Sequence, residues 1–559
     1  MYRPTFNFRN VFDFAVDQPL EETGINFNAE TGGLPFQNFG YRSTTYGFYG
    51  QDDWKVSRKL TLNLGLRWDF SSNPTEVNGD MTNLQLGPGS SLAQQIAGAK
   101  VIRVDHMYTD ARKGYFAPRV GFAWDPTGQG KFSVRSGFGV FFDRWPNKVW
   151  SDTTRNNPPF VANATASTLV PSGPQPVYVL GTTDTPPYGF MYPPITPGLN
   201  PAGGPIGYLA TVGGADRSIR YAYAENWFLG LQYSPAHNWV IEGDYMGSGG
   251  RHLYTVIDRN RVAGDLIEHQ NTLQRLNPYF ATMNYGDNSA SSNYNGGTFS
   301  VRKIFSQGFT FQSSYTVGKA IDLVNAVGPG SGAVYAQVVD AYNVPFQRGL
   351  SPNDVRQKLS LNFVANLPSF ASAAAPIHYI FGGWEVSSLT ILQTGLPSTV
   401  FTSAGFQPVW NLPSCATTVT ANCQVIGNTG GDYNGDGNTY DLPDHPSFSL
   451  NKSYSRSDYL HGLFVASDFP APPLGQEGNV GRNTVHGPGL AQVDFSLIKN
   501  IKVPWFRESA NFQFRTEFYN LFNRVNLNSF DGDLTSGTFG KATGVFTPRT
   551  IQFGARLEF

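Results

Sequence analysis

Between Arg58 and Phe70 the chain reads RKLTLNLGLRWDF, and its two parities separate almost completely. Leu60, Leu62, Leu64, Leu66, Trp68 and Phe70 fall on one; Thr61, Asn63, Gly65, Arg67 and Asp69 fall on the other. Successive side chains of a strand point to opposite faces, so this is one apolar wall and one polar wall. Strands of water-soluble sheets alternate in the same way but have a mode of about 5–6 residues. A strand crossing a bilayer at a tilt needs roughly 9–11 residues, apolar toward lipid and polar toward a lumen. Trp68 and Phe70 close the run, where an interfacial aromatic girdle would place them.

The same unit recurs. Candidate strands are Thr5–Ala15, Tyr41–Val56, Arg58–Phe70, Tyr115–Asp125, Lys131–Asp143, Tyr221–Tyr233 and Asn238–Met246. Thr298–Phe305, Phe309–Val317, Gln357–Leu367, Gly383–Gln393, Ala491–Val503, Asn511–Phe522 and Arg549–Phe559 follow. Short and long connections alternate between them, as in an up-and-down barrel with short periplasmic turns and long extracellular loops. Propellers and sandwiches do not predict that alternation. The expected fold is all-β: a transmembrane antiparallel up-and-down barrel in the bacterial outer membrane, its partner the membrane lipid.

Composition agrees. Of 559 residues only 14% are charged, 14% are aromatic and 61 are glycine. The net charge of -1, without a Lys/Arg block, gives no footprint for nucleic acid. No run reaches the ~18 apolar residues of a membrane-crossing helix. Enzyme motifs of the HExxH, GxSxG, P-loop or GxGxxG kind are missing and the eight histidines are scattered, so no enzyme is expected.

Three stretches carry a family resemblance. YGFYGQDDWKVSRKLTLNLGLRWDF (Tyr46 to Phe70) resembles the barrel signature of TonB-dependent receptors, especially the Oar-like group. GNVGRNTVHGPGLAQVDFSLIKN (Gly478 to Asn500), followed by FQFRTEFYNLFNRVNLN (Phe512 to Asn528), is similar to the last part of the same barrels. The terminal RTIQFGARLEF, with Ile551, Phe553, Ala555, Leu557 and Phe559 on one parity, resembles the signal read by the outer-membrane assembly machinery. The resemblance implies ligand capture by extracellular loops and energised passage through a plugged barrel of about 22 strands. Implied ligands are siderophores, cobalamin, oligosaccharides or peptides. The N-terminus carries no basic region before an apolar one, and neither a plug nor a TonB-contacting segment is seen. The expectation is therefore a partial receptor barrel over residues 1–559, about 14 strands, reaching TonB only through a plug absent from this chain. The alternative is a non-transporting surface adhesion or binding barrel, or an incomplete remnant.

Residues 396–486 are expected to form a long extracellular loop with two local features. Cys415 and Cys423 lie close together and suit a local disulfide in an oxidising compartment. GDYNGDGNTYDLP (Gly431 to Pro443) places Asp432, Asn434 and Asp436 at i, i+2 and i+4 before Gly437, as in loops that wrap a hard cation with alternating oxygens. Position 12 is Pro443 rather than an acid, leaving Asp441 as the substitute, with Asn438 offering a carbonyl. Calcium is the expected cofactor; an Asx-rich surface turn is the plainer reading. Arg67, Asp69, Arg135, Glu242, Asp244, Arg302, Arg515 and Glu517 are expected on the lumen wall, mostly as solvated charge pairs.

Overall fold

A computed structural model describes the chain except for residues 1–4, 8–10, 16–20, 37, 110–111, 144–150, 152–154, 168–194, 262–274, 324–337, 371, 373, 417–421, 439 and 504–509. Its largest sheet has 18 strands, thirteen of which form one continuous antiparallel meander. In chain order these are β1 (Thr45–Lys55), β2 (Leu60–Ser71), β3 (Arg112–Trp124), β4 (Phe132–Asp143) and β5 (Ala222–Tyr233). Next come β6 (Trp239–Asp258), β7 (Phe280–Ser306), β8 (Phe309–Asp322) and β9 (Gln357–Asn366). Last are β10 (Trp384–Gln393), β11 (Leu490–Lys502), β12 (Asn511–Tyr519) and β13 (Thr550–Glu558).

The register joins the local alternations into belts. Leu60, Trp124, Val134, Leu231, Gly243, Phe299, Tyr315, Leu359, Leu392 and Ala491 are directly paired in that order across ten strands. Gly243 alone breaks the apolar row. One residue further along, Thr61, Ala123, Arg135, Gly230, Asp244, Thr298, Thr316, Lys358 and Gln393 form the opposite row. Trp124, Leu231, Phe299 and Tyr315 are 40–55% exposed, and among the described residues no second sheet layer packs on them. An uncovered apolar belt of that extent is stable only against hydrocarbon, so it faces lipid and the polar row faces the lumen. All eight expected lumen residues share the inward parity, with Arg67 bonded to Asp69 at 2.7 Å.

Aromatic side chains border the apolar belt at both ends. On the loop side Phe48 stacks on Trp68 and Tyr46 on Phe70, with ring centroids 5.9 and 6.1 Å apart. On the turn side Trp54, Trp124 and Tyr233 are exposed outward. There the exposed helix Ala375–Phe381 lies between β9 and β10. Lys499, whose parity is lipid-facing, reaches away from the hydrocarbon to the carbonyl of Tyr379 at 2.6 Å, with its ammonium 5.1 Å above the Trp384 ring.

Two expectations are corrected. Thr5–Ala15 is not a barrel strand: Thr5–Asn7 is a short strand paired with Glu21–Phe27, and Val11–Ala15 is helical. Val11, Phe14 and Ala15 stand at i, i+3 and i+4, the spacing of a helical face. β6 and β7 are much longer than expected, 20 and 27 residues, because Gly/Ser/Asn-rich stretches that read as loop continue the ladder beyond the membrane. There the strands pack against the folded loops, with Ile257, Phe280 and Met283 fully buried, and no lipid face imposes an alternation.

The long loops are folded. Leu84, Ile96 and Val101 from the β2–β3 connection share one core with Val212 from β4–β5 and with Phe280 and Met283 of β7. A second core joins Val339 with Val400, Leu442, Phe464 and Val480, and with Phe539 near the chain end. Buried asparagines stitch these pieces together: Asn83 pairs with the backbone of Ala215 at 2.9 and 3.0 Å, and Asn277 donates to Ile96 and Ala99. The apolar core of this protein lies above the barrel rather than within it.

The belt assignment is checked by one pair of substitutions. Leu64→Arg, on the lipid face of β2, is expected to cost about 2–4 kcal/mol of folding free energy in phospholipid vesicles. Asn63→Arg, its inward neighbour, is expected to cost under about 1 kcal/mol on the same scale. Urea midpoints for the two proteins measure the difference; equal losses would put both residues on faces of the same polarity.

Candidate functional site

The second loop core holds a buried carboxylate nest, built from residue 432 onward by local rules. Asp432 accepts N–H bonds from Asp436 at 3.1 Å and Gly437 at 2.8 Å. Asn434 Oδ1 also accepts from Asp436, at 2.9 Å, and Asp436 accepts from Asn438 at 2.7 Å. Asp and Asn side chains bonding the backbone two residues ahead make successive tight turns. Gly437, at φ 80°, takes a left-handed conformation that a Cβ would strain. Asp441 returns across the top, its Oδ2 accepting from Tyr433 N at 2.6 Å.

The nest is dry. Asp432, Asn434, Asp436 and Asp441 are each 2% exposed or less. One oxygen from each of Asp432, Asp436 and Asp441 can be chosen so that all lie within 4.8 Å of one another. Glu477 enters from 43 residues beyond Asn434, accepting from its Nδ2 at 2.7 Å and from Leu442 N at 3.3 Å. Burial, and then the charge of Asp436, push the Asp432 carboxyl up to about 7. Burial, followed by the charges of Asp432 and Asp436, raises Asp441, and burial with Asp441 beside it raises Glu477. Asp436 is raised by burial despite its ion pair with Arg261.

Arg261 makes this nest a junction. It reaches in from the β6–β7 loop and bonds Asp436, while donating to the carbonyls of Val338 at 2.5 Å and Val339 at 2.6 Å in the β8–β9 loop. The Nδ2 of Asn438 also donates to Val338, at 3.1 Å. Three loops therefore meet at one buried ion pair. Neither Arg261 nor Glu477 was legible from the motif itself. Upstream in the same loop a disulfide joins Cys415 to Cys423, with the hairpin strands Pro408–Trp410 and Val425–Asn428 on either side.

A second site lies on the inner wall. Asn63, Gly121, Arg135, Gly137, Phe228 and Tyr294 contribute to a cavity of 780 Å³ across β2 to β7. Phe228 lies over Gly137 so closely that a Cβ there would stand 2.7 Å from its ring. Arg119 stacks over Phe141 at 4.6 Å. Among these only Arg135 was expected on the lumen wall, and Tyr294 fell outside every candidate strand. Bare glycine on one strand beside an aromatic on the next is the signal that could have found them.

A thirteen-strand meander with a greasy exterior and a folded cap on its long-loop side matches one family model, the outer membrane beta barrel domain, over residues 5–552. The chain belongs to that family. Its place is the bacterial outer membrane. Among solved structures it is similar to the outer membrane transporter YddB of Escherichia coli, at 11% identity and TM-score 0.44, covering 91% of this chain and 44% of that one. It is similar also to the ferripyoverdine receptor of Pseudomonas aeruginosa, at 12% identity and TM-score 0.38, with coverages of 94% and 39%. The ferric-catecholate import receptor Fiu of Escherichia coli K12 gives 11% identity and TM-score 0.39, with coverages of 92% and 44%. The chain spans less than half the length of each. No curated protein matches its sequence. Residues 553–558 end β13, which among the described residues pairs only with β12; Phe553 and Leu557 point outward and Phe559 follows at the turn side.

Proposed function

We propose that this outer membrane beta barrel is the receptor wall of a TonB-dependent, Oar-like transporter. Its folded loops capture a small molecule, oligosaccharide or peptide, and its polar inner face lines the route inward. One observation carries the reading: an apolar row, interrupted at Gly243, and a mostly polar row on the opposite face run together across nine strands of the meander beneath a loop cap with its own core. An adhesion platform needs the cap but has no use for the inner-wall cavity around Arg135 and Phe228.

Among the described residues β1 pairs only with β2, and β13 only with β12. In hydrocarbon each unsatisfied backbone group costs several kcal/mol, so further strands must complete the wall. A plug inside the completed barrel would supply the contact to TonB. The C-terminal parity of Phe553, Ala555, Leu557 and Phe559 serves as the address read by the assembly machinery.

The test is growth of a deletion strain on ferric siderophores, cobalamin, oligosaccharides or peptides, each as the only source of its nutrient. Loss of growth at limiting concentration on one class, at least tenfold and reproduced by deleting TonB, is expected. Undiminished growth on all four classes would remove the transport reading.

A further inference from the structure

We infer that the carboxylate nest binds one calcium ion, and that the ion clasps three extracellular loops together. The donors come from Asp432, Asp436 and Asp441, with Glu477 beside them as the acid missing from position 12 of the local motif. Oxygen is the only donor type in the group, which selects a hard cation. Two oxygens bound to one calcium at roughly 2.3–2.6 Å lie at most about 5 Å apart, and the 4.8 Å spread of these carboxylates fits inside that limit.

An acidic cluster alone does not define a cation site; a second observation points the same way. Asp441 is 0% exposed, and among the described residues its Oδ1 has no hydrogen-bond partner while Oδ2 is held by Tyr433. A buried carboxylate oxygen left without a donor is costly, and buried charges are ordinarily paired or bound to metal. Charge gives the same answer. Among the described residues these four carboxyl groups meet one guanidinium, Arg261, which bonds Asp436 and none of the other three. A divalent cation beside Asp441 removes most of that excess.

The consequence reaches beyond the motif. Asp436 bonds Arg261, and Arg261 holds the Val338 and Val339 carbonyls. Fixing Asp436 through the metal therefore fixes the β6–β7 and β8–β9 loops as well. The inference does not depend on the transport reading and survives its failure.

Full-length protein in detergent, stripped with chelator, is titrated with calcium by calorimetry and digested with chymotrypsin. One calcium per chain is expected, with cleavage within residues 394–489 slowed at least tenfold. Magnesium at the same concentration is expected to protect less. Asp441→Asn keeps the shape and the Tyr433 bond, and is expected to lose the protection while inserting normally. A wild-type chain that binds no calcium overturns the inference, as does Asp441→Asn protected equally with wild type. If the variant fails to insert, the wild-type stoichiometry decides alone.

Discussion

Replacing Arg482 by methionine is expected to open the base of the longest loop while leaving the wall intact. Arg482 stands within the GNVGRNT stretch with its side chain 2% exposed. It forms an ion pair with Asp322 at the end of β8, and donates to the carbonyls of Asp322 at 2.8 Å and Gln347 at 2.9 Å. Asn483 follows at φ 57°, donating to Leu350 at 2.6 Å and pairing with Thr399 at 3.0 Å. The two residues lock the β8–β9 and β10–β11 connections to the rim. Removing one partner of a buried pair costs about 3–5 kcal/mol, because the other charge stays behind without compensation. Amide exchange across residues 478–486 and 349–350 should accelerate roughly 100- to 4000-fold, at tenfold per 1.4 kcal/mol. β1 to β3 should not change. Unaltered exchange at 478–486, or equal acceleration in every strand, would show that Arg482 is not the lock.

The second large effect is expected at Arg261, measured in chelator so that no cation contributes. Its side chain is 8% exposed and that of Asp436 1% exposed, so Arg261→Met strands a carboxylate in a dry core. The expected loss is again about 3–5 kcal/mol, read as faster chymotrypsin cleavage within residues 394–489. The double variant Arg261→Met, Asp436→Leu is expected to recover most of it, since an apolar pair of similar volume replaces the ion pair without burying a lone charge. If the double variant were as sensitive as the single, Arg261 would act by packing and through the Val338 carbonyl rather than through charge.

What the sequence made legible follows from range. The Leu60-to-Phe70 alternation is a property of adjacent residues, and most strands of the meander show it; β10, with Ser388 and Thr390 outward and Leu389 and Ile391 inward, does not. Thr5–Ala15 misled for the opposite reason: its phenylalanines alternate, yet its neighbour in space is Glu21–Phe27 and not a bilayer. The extra length of β6 and β7 was invisible because beyond the bilayer these strands pack against loops and no lipid face imposes the period. The first loop core was invisible because its apolar residues are scattered over several connections. Leu84, Val212 and Met283 build one only by pooling three distant stretches. In the carboxylate nest, Asp432 to Asp441 are a local pattern and could be read off. Glu477 and Arg261 arrive through topology, from 43 residues beyond Asn434 and 175 residues before Asp436.

β7 runs for 27 residues, where crossing a bilayer takes roughly 9–11. At about 3.3 Å per residue the excess is on the order of 50 Å of stiff, hydrogen-bonded ribbon, shared for most of its height with β6. It works as a mast. Whatever docks on the cap is held at a stand-off from the lipid headgroups, and torque applied there is carried straight down the ladder into the wall.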